Sequence, residues 1–356
     1  MRAIVPKLSL LLVSLLVAGI VAEVFSRVYL QGTLSRDYLE QEVSRTWLGD
    51  FTQPSDDPEL RYELKPSVDV NWQGVRVIIA NDGSRRIASR GSDAETTGAM
   101  RIAILGDSSS FGWRVEFEDS YGEVLRRLLA ARLGRPVDVR NFSVPGYNSQ
   151  QARVTYFRYV RPWKPDVVIV HHDFNDADPI NAKPLNYLSP DYGDNPLRSM
   201  AIKWALRSAH ELRIGREMAV AGEDPDNLTH VYRNYRTSGP LFDQHLRELE
   251  SIARDATSAG MRPIAFVHNP WIEAQTAFDR DPFYTLLHVP VVRALRSYGY
   301  TVIDSYPLYQ RAMAENGWTN LAPFWVVPPA DAHPSPMGHA AIGRALFDEI
   351  MAAKSP

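Results

Sequence analysis

From residue 100 onward, short apolar runs alternate with longer amphipathic stretches. Arg101–Gly106 (RIAILG) is a short apolar run ending in Gly, the pattern of a buried parallel strand, and Val137–Phe142, Asp166–His171 (DVVIVH), Arg262–His268 and Tyr300–Asp304 read as further strands. Between them the spacing turns helical. Ser120 and Glu123 form an S-x-x-E box ahead of Val124, Leu125, Leu128 and Leu129, with Gly134 as the stop signal. Gln150–Arg161 reads as a helix ended by Pro162. Leu241–Ser258 places Phe242, Leu246, Leu249, Ala253 and Ala256 on one face, and Val289–Ser297 forms a further helix. Ser335 caps a last helix with Pro336 at its first position and Ile342, Leu346 and Ile350 inward. The alternation predicts an α/β domain whose parallel sheet is covered on both faces. In such sheets ligands gather at the carboxyl ends of the strands.

The N-terminal pattern is different. Residues 8–22 (LSLLLVSLLVAGIVA) carry no charge, and from Ile4 to Phe25 the run approaches the ~20 residues of a membrane helix. Arg2 and Lys7 precede it, which orients the N-terminus to the cytoplasm and the remainder across the membrane. The alternative is a signal peptide cleaved after Gly19 or Ala22, with the protein secreted. Either way the body is expected outside the cytoplasm, periplasmic or at the cell surface. Residues 1–30 are thus an expected anchor. Residues 31–99 are an expected juxtamembrane spacer, with one or two short strands within 61–82 and a loop over 83–99. The main domain is expected over 100–356, with a less regular insertion at about 177–238.

Composition narrows the chemistry. With 356 residues, 45% hydrophobic and 23% charged, the chain is a globular protein and not a disordered one. The net charge of −3 supplies no basic excess for phosphates, so nucleic acid is not an expected partner. The absence of cysteine removes thiolate zinc sites, iron–sulfur clusters and cysteine nucleophiles. No feature of the sequence sets an oligomeric state.

Four blocks at expected strand ends carry candidate chemistry. Gly106-Asp107-Ser108-Ser109-Ser110-Phe111-Gly112 places a serine hydroxyl at the crevice, where it needs a base to become a nucleophile. Asp331-Ala332-His333, on a loop before the last helix, offers that base and a carboxylate to hold its tautomer. In Asn141-Phe142-Ser143-Val144-Pro145-Gly146, the glycine lets a backbone N–H face a ligand. In His171-His172-Asp173-Phe174-Asn175-Asp176, an Asn amide can donate to an oxyanion. His339 reads as structural or as a reserve base. His171, His172, Asp173, Asp176 and Asp178 invite a metal reading, but neighbouring strand residues face opposite sides, so neither metal nor cofactor is expected. Arg85, Arg86 and Arg90 read as a solvated basic loop, or as a contact for an anionic glycan or lipid headgroup. Trp113 and Trp271 read as core residues or as walls of a sugar or acyl site.

The order of these blocks resembles the SGNH hydrolases, the GDSL esterase/lipase family, in a membrane-anchored bacterial form, over roughly residues 100–353. The resemblance implies a flavodoxin-like three-layer α/β/α sandwich with five parallel strands. It implies Ser108 as nucleophile, His333 as base and Asp331 as its partner. The oxyanion hole it implies is built from the backbone N–H groups of Ser108 and Gly146 and the side chain of Asn175. Two positions depart from the pattern: Asp173 stands where the family has glycine, and D-x-H replaces D-x-x-H. The shorter spacing also resembles membrane-associated polysaccharide acetyltransferases. The implied function is an extracytoplasmic serine esterase acting on O-acyl groups such as acetyl. Its expected partners are the membrane and an acylated envelope or exported glycan, or a lipid-like ester. The alternatives are an acyltransferase using the same residues and a non-catalytic glycan-binding or assembly protein on a degenerate hydrolase fold.

Overall fold

The computed structural model describes residues 13–25, 50–60, 62–72, 74–86, 97–173, 176, 240–268, 288–327 and 331–352. The chain divides into two compact units, Met1–Gly49 with Leu185–Thr229, and Asp50–Pro184 with His230–Pro356. The first is described only over 13–25, a helix whose large apolar side chains are exposed, among them Leu16 and Phe25. The expected membrane helix is thus described for thirteen residues, and no helix among the described residues is long and apolar enough to cross a membrane. The expected insertion at 177–238 lies outside the described residues.

The second unit opens with two antiparallel hairpins, β1 (Thr52–Pro54) with β2 (Tyr62–Leu64), and β3 (Val68–Trp72) with β4 (Val75–Ile79). Five parallel strands follow: β5 (Met100–Leu105), β6 (Val137–Asn141), β7 (Val167–His172), β8 (Arg262–Val267) and β9 (Thr301–Asp304). Their order is β6-β5-β7-β8-β9. This is the flavodoxin-like arrangement, and its switch point lies between β5 and β7. The helices are α1 (Ser108–Phe111), α2 (Tyr121–Leu133), α3 (Ser149–Thr155), α4 (Pro240–Ser258), α5 (Val289–Ser297), α6 (Ser305–Asn316) and α7 (Pro336–Ala352).

Strand alternation builds the three layers. Ala103 and Leu105 of β5 join Leu249 and Ile252 of α4 and Val291 and Leu295 of α5 on one face. Ile102 and Ile104 join Leu125 and Leu129 of α2 and Ile342 and Leu346 of α7 on the other. All six residues of β7 are buried, as expected for a central parallel strand.

The local signals hold with instructive exceptions. Ser120 caps α2, its Oγ accepting from Glu123 N at 3.4 Å. The Glu123 carboxylate does not complete the box, because it pairs with Arg126 instead. The complete capping box is at α3, between Asn148 and Gln151. Pro162 does not end the helix begun at Ser149. A π turn at Tyr156–Val160 widens the ladder, and helical backbone continues to Trp163. Proline has no N–H to place in a regular ladder, and the widened turn accommodates it. Asp331–Pro334, expected as a loop, forms β11, paired antiparallel with β10 (Trp325–Val327).

The segment 50–86 packs against α1 and the end of β6. Phe51 is fully buried, stacks on Phe111 of α1 at 5.3 Å and meets Trp72 edge-on at 5.4 Å. Arg85 N donates to Asn141 O at the end of β6, which joins this segment to the sheet edge.

Candidate active site

After β5 the chain must turn sharply to place a side chain over the strand ends. Gly106 permits this at φ +153°. A Cβ there would collide with Ser110 Oγ and lie 2.9 Å from the His171 carbonyl oxygen. Asp107 then caps α1, accepting from Ser109 N at 2.9 Å, and Gly112 closes it in the left-handed conformation. The single turn leaves Ser108 partly exposed while Ser109 and Ser110 are buried. Ser108 Oγ lies 2.8 Å from Nε2 of His333, on β11. The His333 ring stacks on Trp113 at 5.5 Å and 26°, and Trp113 in turn meets Trp72 at 4.5 Å. Trp113 is thus the wall behind the imidazole.

Arg85 supports the turn from beneath. It is fully buried, and its guanidinium donates to the carbonyls of Phe111 (2.6 Å), Gly112 (2.8 Å) and Val115 (2.8 Å). The expectation of a solvated basic loop fails here, because these carbonyls at the end of α1 need donors in the interior. Arg86 is buried as well, paired with Asp82, which also binds Arg140 at 2.9 Å. Arg90 lies outside the described residues. Asn141 adds a further tie, donating from Nδ2 to Ser110 O at 2.7 Å.

The loop after β6 runs beside the serine turn. Val144 N donates to Gly106 O at 3.1 Å, and Gly146 sits two residues on at φ +82°. A Cβ at Gly146 would come within 2.9 Å of Tyr62 Oη, which itself donates to Pro145 O at 2.8 Å. Asn175 lies outside the described residues, as do the Asp331 side chain, Asp178 and Trp271. His339 is structural: fully buried, its Nδ1 accepts the first amide of α2, from Tyr121, at 3.3 Å.

Asp173 turns its carboxylate to Ser109 and His268. It is fully buried, and its Oδ2 accepts from Ser109 Oγ at 2.5 Å and lies 3.1 Å from His268 Nδ1. Burial alone would raise its pKa. The attraction and hydrogen bond of His268, with His171 and Ser109, overcome this and hold it down to about 2. His171, Asp173 and His268 bring one donor atom each within 4.8 Å of one another. His171 and His172 do face opposite sides of β7: His171 packs on Tyr121 and His172 on His245. Ser109 and His268 escaped the sequence reading. The one signal available was the place of His268 directly after an apolar strand.

A family model for the GDSL-like lipase/acylhydrolase family matches residues 104–341, from β5 into α7. The chain belongs to this family. As a GDSL-like acylhydrolase it is a carboxylic ester hydrolase. No curated protein matches it. Solved structures similar to this GDSL-like acylhydrolase include LAE5, an alpha/beta hydrolase enzyme from the metagenome of Lake Arreo, Spain. LAE5 is 15% identical at a TM-score of 0.44, with 73% of this chain and 99% of that one covered. Axe2, an acetylxylan esterase from Geobacillus stearothermophilus, is 15% identical at a TM-score of 0.44, covering 72% and 96%. The lipase/acylhydrolase from Enterococcus faecalis is 17% identical at 0.41, covering 71% and 96%.

Proposed function

We propose that this GDSL-like acylhydrolase is a serine esterase that removes O-acyl groups, such as acetyl, from envelope or exported glycans outside the cytoplasm. The observation that carries the reading is the 2.8 Å contact between Ser108 Oγ and His333 Nε2. Ser108 Oγ attacks the ester carbonyl carbon while its proton passes to His333 Nε2. The sugar hydroxyl leaves with that proton, and an acyl-serine remains. Water then attacks, again through His333, and the carboxylic acid is released. Asp331, two residues before His333 on β11, is assigned to hold the imidazole tautomer. The backbone N–H groups of Ser108 and Gly146 and the Asn175 amide are assigned to the developing oxyanion.

The apolar N-terminal run, with Arg2 and Lys7 ahead of it and exposed apolar side chains over 13–25, supports a membrane tether. The D-x-H spacing supports a second outcome for the same acyl-enzyme, transfer to a sugar hydroxyl instead of water.

A fluorophosphonate probe, with the labelled peptide located by mass spectrometry, tests the core of this reading. Label on Ser108, lost in Ser108→Ala and His333→Ala, is expected. A folded protein that takes no label overturns it. Adding a sugar acceptor to the assay separates transfer from hydrolysis, and protease protection in membrane vesicles checks the tether.

A further inference from the structure

We propose that Ser109, Asp173 and His268 form a positioning array that sets the nucleophile turn, and that Asp173 thereby governs the rate at which Ser108 is acylated. The proposal rests on the assignment of Ser108 as nucleophile.

The array joins three elements at one oxygen. Asp173 Oδ2 takes Ser109 Oγ from α1 at 2.5 Å and faces His268 Nδ1, at the end of β8, at 3.1 Å. Asp173 itself follows β7. All three residues are at most 3% exposed. Neutral hydrogen bonds between hydroxyls run longer than 2.5 Å, whereas a hydroxyl on an ionised carboxylate reaches that length. With its pKa held down, Asp173 binds the residue directly after Ser108 as a carboxylate accepting a hydroxyl.

The carboxylate is fixed in its turn. Its backbone N–H donates to Asp176 Oδ2 at 2.5 Å, and Asp176 O accepts from Ser149 N and Oγ at the start of α3. His268 is held edge-on by Tyr309 of α6 and by His171 of β7. Ser109 is thus gripped twice, its amide by Asp107 Oδ1 and its hydroxyl by Asp173. That grip fixes the first turn of α1, and with it the direction of the Ser108 Cα–Cβ bond toward His333.

The position matters because Asp173 replaces the glycine of the family pattern. An ionised group beside an oxyanion site opposes the charge that develops there. Here both donors draw the carboxylate toward α1 and β8. The substitution thus adds a bond to the turn that a glycine cannot make.

The test is steady-state hydrolysis of p-nitrophenyl acetate, with enzyme concentration set by fluorophosphonate titration. Displacing a reacting group by about 1 Å costs on the order of 10²-fold. Ser109→Ala and Asp173→Asn are therefore each expected to lower kcat about 10- to 100-fold, with KM changed less than about twofold. The double variant is expected to fall no further than the worse single one, because both remove the same bond. Ser109→Thr, which keeps the hydroxyl, is expected to recover most of kcat. Unchanged kcat in folded Ser109→Ala, or losses that multiply in the double variant, overturns the proposal. Should Asp173→Asn not fold, the Ser109→Ala and Ser109→Thr pair decides alone. Wild-type enzyme that takes no label at Ser108 fails the nucleophile assignment instead.

Discussion

Arg85 and Phe111 meet twice: the guanidinium lies 4.4 Å over the phenyl ring, and its Nη1 donates to the Phe111 carbonyl at 2.6 Å. The end of α1, the helix that carries Ser108, is therefore anchored by a residue that precedes the whole five-stranded sheet in the chain. Burial lowers the Arg85 pKa to about 10, so it stays charged at neutral pH.

Arg85→Met should keep much of the volume and remove the donors of three buried carbonyls. A cost of at least about 4 kcal/mol is expected, given ~1.5–3 kcal/mol for each of three hydrogen bonds to a charged group. Urea denaturation measures it. A loss below about 1 kcal/mol would show that solvent replaces the guanidinium.

A chain begun at residue 100 should fail to fold, whereas one begun at residue 50 should fold. The shorter chain exposes Phe111 and Val115 and leaves their carbonyls without Arg85, while the longer one keeps Phe51, Trp72 and Arg85 in place. Circular dichroism and gel filtration of the two chains check this.

Trp113→Ala should lower kcat about tenfold with little change in stability, because the freed His333 ring loses its orientation. The decisive readout is kcat with KM alongside. A change confined to KM would place Trp113 in substrate binding instead.

Acid should unfold this protein early. Burial holds His172 and His339 down to about 3, and His171 and His245 well below 6.5. His172 and His245 also face each other at 3.1 Å between Nε2 atoms, a contact that needs one nitrogen without a proton. The unfolded chain binds more protons than the folded one between pH 6.5 and the folded values. Stability is therefore complete above about 6.5 and declines as pH falls toward about 3. Each such histidine costs about 2 kcal/mol by pH 5. The four together approach the ~5–15 kcal/mol of an ordinary domain. Urea midpoints at pH 8, 6.5 and 5 should fall steeply in the last step, and a flat series would refute the account.

The five sheet strands were legible within about a residue: β5, β7 and β8 read as apolar runs because they lie inside the sheet, while the edge strands β6 and β9 show only through the alternation of strands and helices. Ser108 and His333 were legible as candidates by residue type, and the structure brings the two within 2.8 Å. Arg85 was not, since a short basic cluster is ordinarily solvated and its acceptors lie 26 to 30 residues away. The direction of Asp173 was not legible either. It depends on Ser109 and His268, 64 residues before it and 95 after it. The β10–β11 hairpin escaped because strands of three and four residues carry no readable alternation.

The serine and its histidine belong to structures of unequal tenacity. Ser108 follows the interior strand β5, locked between β6 and β7, whereas His333 rides on a two-strand ribbon outside the main sheet. Segments with few buried apolar neighbours open at lower free energy than the sheet does. Rising denaturant should therefore silence the enzyme before it melts. The first step is expected to be reversible detachment of the histidine arm, with activity reporting on the ribbon and circular dichroism on the sheet.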